Sequence, residues 1–531
     1  MSRRASLVAA VALLAGFAGL SLWEMAGDSL TSDERVHLPA GYAYWKEHEW
    51  RLNPEHPPLV KLVCAAPLLL MDLKMPPTEP DAGLSYHRFQ PTFGSRFLFT
   101  QDADRILFWG RLPVLLLGLA LLALLFRWSW VLHDDPGAGL VTLFLAALDP
   151  TLLAHSHYVT TDVALACFGV WALFFLWRFG RTGRAGHLAL AAVGMGLALA
   201  SKFSAIFILP VFLLILWVRW PRAGPEGEGA ARTAAPRLRR PVAAAGAVLL
   251  MAAIVQGSYF FSPDLTLYLD GIRAVQANHP VDYPAYVHGA FFIGGAWWYP
   301  LYALLLKTPL PSLAAIAIGT TVALRDPHRA RGTLWFLLLP AAVLAAAVCL
   351  FADNYGVRYL IPVTALLLVP AGGCRAVLAS PGRLRGLAAA ALALWMVGSV
   401  LRGAPHFLSY FNELIGSPAN APYVLHDSNV DWGQDLKRLA RYQRGRRIPE
   451  IRLAYWGPTR PEHYGIRYRP WTRAAAESDR PPPGVYAISV NHLVNLKKRV
   501  VLAGDAPNLD WLRRFEPAER VGGSILIYRF P

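Results

Sequence analysis

Asp33 and Glu34 are adjacent carboxylates that follow directly on the first long apolar run of the chain, in "TSDERVH". A carboxylate at such a border is raised in pKa by desolvation and lowered by nearby cations, a balance that suits a general base. The same stretch fits a capping box, with Thr31 at the N-cap and Glu34 three residues on. A cap needs only one of the two acids. Asp162, in "HYVTTDVALACF", opens another apolar run and reads either as a helix cap or as a second acid of the same site. Glu55 and His56 stand before two prolines in "NPEHPPL", a carboxylate and an imidazole on a stiff backbone. Glu55 could contact a divalent metal, although no second ligand follows at a diagnostic spacing. Lys307 in "LLLKTPLP", Arg358 in "NYGVRYLIP" and, more weakly, Lys202 in "LALASKFS" are bases at the borders of apolar runs. They read either as snorkelling anchors or as a grip on a phosphate. Asp427, Asn429, Asp431 and Trp432 crowd into "HDSNVDWGQD". That stretch is either a turn before a capped helix or a carbohydrate contact made of acids, amides and an indole.

The elements that must position these residues are apolar. Of 531 residues, 55% are hydrophobic and only 16% charged, too little polar surface for a soluble globule and the balance of an integral membrane protein. Apolar runs fall at 5–24, 106–126, 138–157, 162–178, 187–201, 203–220, 241–261, 309–324, 332–351, 359–378 and 386–402, which gives about eleven crossings. The net charge of +16 is concentrated in "MSRR", "RFGRTGRAG", "RLRR", "RDPHRARG" and "PGRLRG". Counted through the spans, these share one face, which should be cytoplasmic. The basic stretches lack the interleaved aromatics of a nucleic-acid groove. The first run could instead be a cleaved signal peptide, but no clean small-x-small site follows it. The same count carries Asp33, Glu34, Asp162, Lys202, Lys307 and Arg358 to the opposite, outer face. The four cysteines are too widely spaced for a disulfide framework or a metal cluster.

Residues 25–105 and 262–308 form long outer loops, the first rich in Trp, Tyr and His and suited to an interfacial helix broken at "PEHPP". Residues 221–240 have the composition of a disordered linker. From about 403 charged residues return and apolar runs shorten to "IRLAYWG", "GVYAISVN" and "SILIYRF", alternating with helical stretches such as "GQDLKRLARYQR". The expected architecture is a polytopic α-helical membrane unit over 1–402 and a small outer-face α/β domain over 403–531. No P-loop or G-x-G-x-x-G is present, and no internal repeat of the transporter kind.

"TSDERVHLPAGYAYW", "NPEHPPLVKL", "TTD", "LLLKTPLP" and "RYLIP", in this order, resemble the bacterial glycosyltransferases of family 39 in the GT-C superfamily. These are relatives of protein O-mannosyltransferases and lipid A aminoarabinose transferases. "YFNELIGSP", "DSNVDWGQDLKRL" and "PPPGVYAISVNHL" are close to a signature of one bacterial subgroup. The resemblance implies transfer of one sugar, with inversion, from a polyprenyl-phosphate carrier to a protein, lipid or glycan acceptor at the outer face of the cytoplasmic membrane. It implies that Asp33 is the catalytic base with Glu34 its neighbour, and that Asp162 is the second acid. Glu55 and His56 fall where aminoarabinose transferases carry a metal-contact Glu and a phosphate-binding Lys. With His in place of that Lys, Lys307 and Arg358 are the better candidates for the donor phosphate, beside His56 and Lys202. A flippase for lipid-linked sugars would use the same acids and bases, and a non-catalytic scaffold of the envelope would bind sugar through the C-terminal domain.

Overall fold

The computed structural model describes residues 2–219, 240–278, 284–379, 382–471, 480–503 and 514–531. The linker expected at 221–240 lies, but for Arg240, outside them. Each of the eleven apolar runs is helical. The chain begins with α1 (Arg3–Gly27), then passes through three helices of the first long loop, α2 (Glu34–Glu47), α3 (Leu59–Ala65) and α4 (Tyr86–Phe99). The bundle continues with α5 (Ala103–His133), α6 (Pro136–Ala147), α7 (Pro150–His155), α8 (Asp162–Thr182), α9 (Ala185–Ser201), α10 (Ile208–Val218) and α11 (Arg240–Ser258). After α12 (Leu267–Asn278) and the hairpin β1 (Ala285–Val287) and β2 (Ala290–Phe292), it resumes. The later helices are α13 (Tyr299–Lys307), α14 (Leu310–Arg325), α15 (Pro327–Thr333), α16 (Leu339–Phe351), α17 (Ile361–Ala371), α18 (Arg375–Leu378) and α19 (Arg383–Gly403).

Among the described residues seven helical segments are long and apolar enough to cross a membrane, or eight if the pair α13–α14 is one span. That pair bends by 107° at Thr308-Pro309, where the sequence places the turn. The remaining apolar runs are shorter helices, because Asp149-Pro150 divides 138–157 and Lys202 divides 187–220. The breaks matter for the site, since they deliver polar residues to one level of the bundle.

The first loop packs as a tight layer on the bundle. Gly94 of α4 lies against the carbonyl of Arg35, and Gly41 of α2 against that of Lys61, so a Cβ at either position would overlap backbone. Close approach of α2 to α3 and α4 therefore requires glycine on both faces.

The C-terminal region contains a five-stranded sheet of order β4-β3-β5-β7-β6. Its strands are β3 (Ile451–Ala454), β4 (Tyr468–Pro470), β5 (Gly484–Ser489), β6 (Glu519–Val521) and β7 (Ile525–Phe530). β3 runs parallel to β4 and β5, and β7 antiparallel to β5 and β6. Period-two alternation splits the strand residues between two cores. Ala487, Ile525 and Ile527 pack with Leu436 and Leu439 of an amphipathic helix at Leu436–Gly445. Tyr486, Ile488, Leu526 and Tyr528 face the other way, onto Tyr286, Tyr299 and Leu306 of the second long loop. The sheet is thus docked on the bundle rather than tethered to it.

Candidate active site

Four charged side chains converge where α2, α8, the α9–α10 break and α17 meet. Arg358, just before α17, donates from Nη1 to Asp33 Oδ2 at 2.6 Å and lies 3.8 Å from Asp162 Oδ2. Asp162, the first residue of α8, is paired through its other oxygen with Lys202, which ends α9. Asp33 precedes α2 and its side chain retains 25% exposure, against 2% for Asp162. Asp33 is the more exposed acid of this cluster. Burial pushes its carboxyl up, but Arg358, then His37, more than offset that and leave it below the usual carboxylate range. The guanidinium of Arg358 lies over two aromatic rings, 4.5 Å from Trp432 and 5.1 Å from Tyr359. Lys202 lies 4.4 Å above Tyr359. These planes restrict both cations to the acid pair.

Glu34 does something different from its neighbour. It is wholly buried and forms a two-pronged pair with Arg111 of α5, Nε to Oε1 and Nη2 to Oε2, both at 2.7 Å. It also accepts from Thr31 N at 3.0 Å, Thr31 Oγ1 at 2.9 Å and Val159 N at 3.2 Å. The bond from Thr31 N is half of the capping box. The Thr hydroxyl, however, donates to Glu34 instead of accepting from the helix. Arg111 further donates to the carbonyl of Ser29 at 2.9 Å. Glu34 therefore ties the start of α2 to α5 and to the loop before α8, and in doing so fixes Asp33 opposite Asp162.

Other expected residues have internal partners. Lys307 Nζ donates to the carbonyls of Leu408 and Asn429, each at 2.7 Å, and clamps two C-terminal segments to the end of α13. It is not in the Asp33–Arg358–Asp162–Lys202 cluster. Glu55 accepts from Gln90, Asn53 and Asn278 and contacts His87 Nδ1 at 2.9 Å, so its oxygens are already taken. No group of three His, Cys, Asp or Glu side chains suited to a cation occurs among the described residues. His56 stands edge-on to His37 with centroids 5.3 Å apart. Burial, then the charges of His37, Lys202 and Lys61, hold its imidazole well below the ordinary value. It is neutral at physiological pH and can give a phosphate a hydrogen bond but no charge. A cavity of about 400 Å³ adjoins it, with Tyr44, Trp50, Tyr86 and Tyr259 in the wall.

The stretch 426–435 is an internal knot rather than a surface. Asn429 accepts from Val357 N at 3.0 Å and donates to Tyr299 Oη at 2.9 Å. Asp431 takes Gly433 N at 3.1 Å and Asn491 N at 2.8 Å, and Asp427 accepts from Ser428 N at 2.6 Å. Trp432 is buried among His155, Tyr158 and Arg358. Of the four candidates for sugar contact, only Trp432 touches the charged cluster, and it does so from behind. Asp435 accepts from Gly523 N, Ser524 N and Ser524 Oγ and bridges through Arg438 to Asp28 at the end of α1. Sequence reading passed over Arg111 and His37. An arginine inside the apolar run "FWGRLPVLLLG" was the available signal, since such a charge demands an acid.

Fold and site together define a polytopic membrane protein with the GT-C fold. Residues 34–228 match the dolichyl-phosphate-mannose-protein mannosyltransferase family, a stretch that contains Asp33's neighbour Glu34, Asp162 and Lys202. Two crystal structures of ArnT from Cupriavidus metallidurans superpose over the whole length. The apo state has TM-score 0.52 and 14% identity, covering 99% of this chain and 98% of that one. The state bound to undecaprenyl phosphate has TM-score 0.52 and 15% identity over the same shares. The archaeal oligosaccharyltransferase AglB from Archaeoglobus fulgidus aligns at TM-score 0.47 and 12% identity, over 79% of this chain and 58% of its own. At such identities the likeness is one of fold. No curated protein sequence matches the chain.

Proposed function

We propose that the protein is an inverting glycosyltransferase. It moves one sugar from a polyprenyl-phosphate carrier to a hydroxyl of a protein, lipid or glycan, at the outer face of a bacterial cytoplasmic membrane. The observation that carries this reading is the partly exposed Asp33 carboxylate held 2.6 Å from Arg358, with the Asp162–Lys202 pair beside it. The ArnT structure described as bound to undecaprenyl phosphate makes a lipid phosphate the natural donor chemistry. Orientation is supported by Arg178, Arg181, Arg219, Arg329 and Arg331, which line a cavity at the far end of the bundle.

In the reaction the acceptor oxygen attacks the anomeric carbon and its proton passes to Asp33. The bond from that carbon to the phosphate oxygen breaks, and the lipid phosphate leaves with the electron pair. Inversion needs no covalent enzyme intermediate. Arg358 and Lys202 stabilise the charge that develops on the leaving phosphate. As Arg358 turns towards the phosphate it relinquishes part of its hold on Asp33. A carboxylate freed of its cation is the stronger base, so donor arrival and activation of the acceptor are coupled. Asp162 keeps Lys202 in place, Glu34 fixes the approach of Asp33, and the aromatic cavity beside His56 offers faces on which a sugar can stack.

Asp33→Asn tests the assignment. Transfer from a polyprenyl-phospho-sugar in membranes should fall about 10²–10⁴-fold with folding intact. Full turnover by that variant would overturn the catalytic reading. Movement of the lipid across reconstituted vesicles without sugar transfer would replace it with a flippase.

A further inference from the structure

The far end of α8 carries a second concave site. Twenty-one residues of helix at 1.5 Å rise separate it from Asp162 by about 30 Å, the thickness of a bilayer core. There, between the ends of α5, α8 and α10 and the start of α15, lies a cavity of about 960 Å³. Arg178 and Arg181 reach it from the last turn of α8, Arg219 from the end of α10, and Arg329 and Arg331 from α15.

We propose that this cavity binds the headgroup of an anionic phospholipid. Five guanidinium groups face two carboxylates, Asp134 and Asp326. Arg329 is paired with Asp326 at 3.2 Å. Among the described residues Arg178, Arg181, Arg219 and Arg331 meet no carboxylate at ion-pair distance. Four arginines without a carboxylate partner around one cavity are more positive charge in one place than a topology signal or a helix-end counter-charge needs. Guanidinium forks fit phosphate oxygens in pairs. Apart from Thr182 and His328, the rest of the wall is made of apolar residues and glycine. Trp177 and Phe336 are almost fully buried along it, and Arg181 lies 5.0 Å over the Trp177 ring. Phe336 belongs to a π-helical turn, Leu334–Leu338, that joins α15 to α16. A site basic at its mouth and aromatic at its side suits an amphiphile better than a free anion.

Native mass spectrometry of the purified full chain supplies the test, with cardiolipin, phosphatidylglycerol, phosphatidylcholine or inorganic phosphate as probe. Cardiolipin and phosphatidylglycerol adducts should persist and phosphatidylcholine adducts should not. Arg181→Gln/Arg331→Gln, at two exposed positions, should weaken cardiolipin binding about tenfold or more. Arg383→Gln/Arg385→Gln, exposed on α19 outside the cavity, should leave it unchanged. Thermal unfolding without lipid verifies that both pairs fold. Equal binding by the first pair, an equal loss with the second, or retention of phosphatidylcholine would overturn the proposal. Displacement of the lipid by millimolar phosphate would identify a free-anion site instead.

Discussion

Arg111→Met separates the two acids that open the first loop. Glu34 has no solvent exposure and takes five donors, two from Arg111, two from Thr31 and one from Val159. Removing the guanidinium deletes two charge-assisted bonds of 2.7 Å and strips the Ser29 carbonyl of its donor. Breaking a buried ion pair from one side costs about 3–5 kcal/mol. The bonds from Thr31 and Val159 persist, which places Arg111→Met at about 3 kcal/mol, the low end of that range. Glu34→Gln should fall in the same range, since it leaves the guanidinium buried and unpaired. The double variant Glu34→Gln/Arg111→Met should recover part of the loss, because no uncompensated charge remains. Asp33→Asn behaves oppositely. Asp33 is one quarter exposed and the buried Arg358 keeps Asp162 at 3.8 Å, so stability should fall less than with Glu34→Gln while transfer collapses. The assay follows unfolding of the detergent-purified full chain and, at matched folded protein, sugar transfer in membranes. Glu34→Gln with an unchanged Tm, and transfer as depleted as in Asp33→Asn, would refute the division of labour.

Three further outcomes follow from the geometry. Gly94→Ala should cost about 2–4 kcal/mol and loosen α2, because its Cβ would overlap the Arg35 carbonyl; limited proteolysis between α2 and α4 detects this. Burial pushes the Asp431 carboxyl up to about 7 against the Asn491 and Gly433 amides, while an unfolded Asp titrates near about 3.9. The folded chain holds the proton more tightly, so this contribution is complete below about pH 4 and is lost as pH rises through about 7. Tm should therefore decline between about pH 4 and 7 more steeply than in Asp431→Asn. Trp432→Ala removes the plane beneath Arg358 and should cost about 3–5 kcal/mol. Trp432→Phe should restore most of the transfer per folded molecule, and no rescue would deny the ring a positioning role.

Much of the architecture was legible because apolar runs and their polar borders obey simple physics. The breaks at Lys202 and Pro309, and strands at Ile451–Ala454, Gly484–Ser489 and Ile525–Phe530, stand where composition places them. Asp33, Asp162, Lys202 and Arg358 could be brought together because each ends or begins a helix at one membrane depth. What remained illegible was partnership at that depth. Nothing local distinguishes Asp33 from Glu34. The difference is made by Arg111, far along the chain and on another helix. Lys307 has the sequence of a phosphate ligand, but its helix ends under the C-terminal segment, where backbone carbonyls claim it. The polar residues of 426–435 look like a surface because their partners, Val357, Tyr299, Asn491 and Gly523, are scattered through the fold.

The ring behind Arg358 comes from a segment synthesised after every membrane helix. While Trp432 is still in the ribosome, a nascent chain already holds Asp33, Asp162, Lys202 and Arg358, but its arginine lacks the indole ring against which it packs. Maturation of the centre therefore waits for the last stretch of polypeptide, with Asp435 latching onto Gly523 and Ser524 as the final tie.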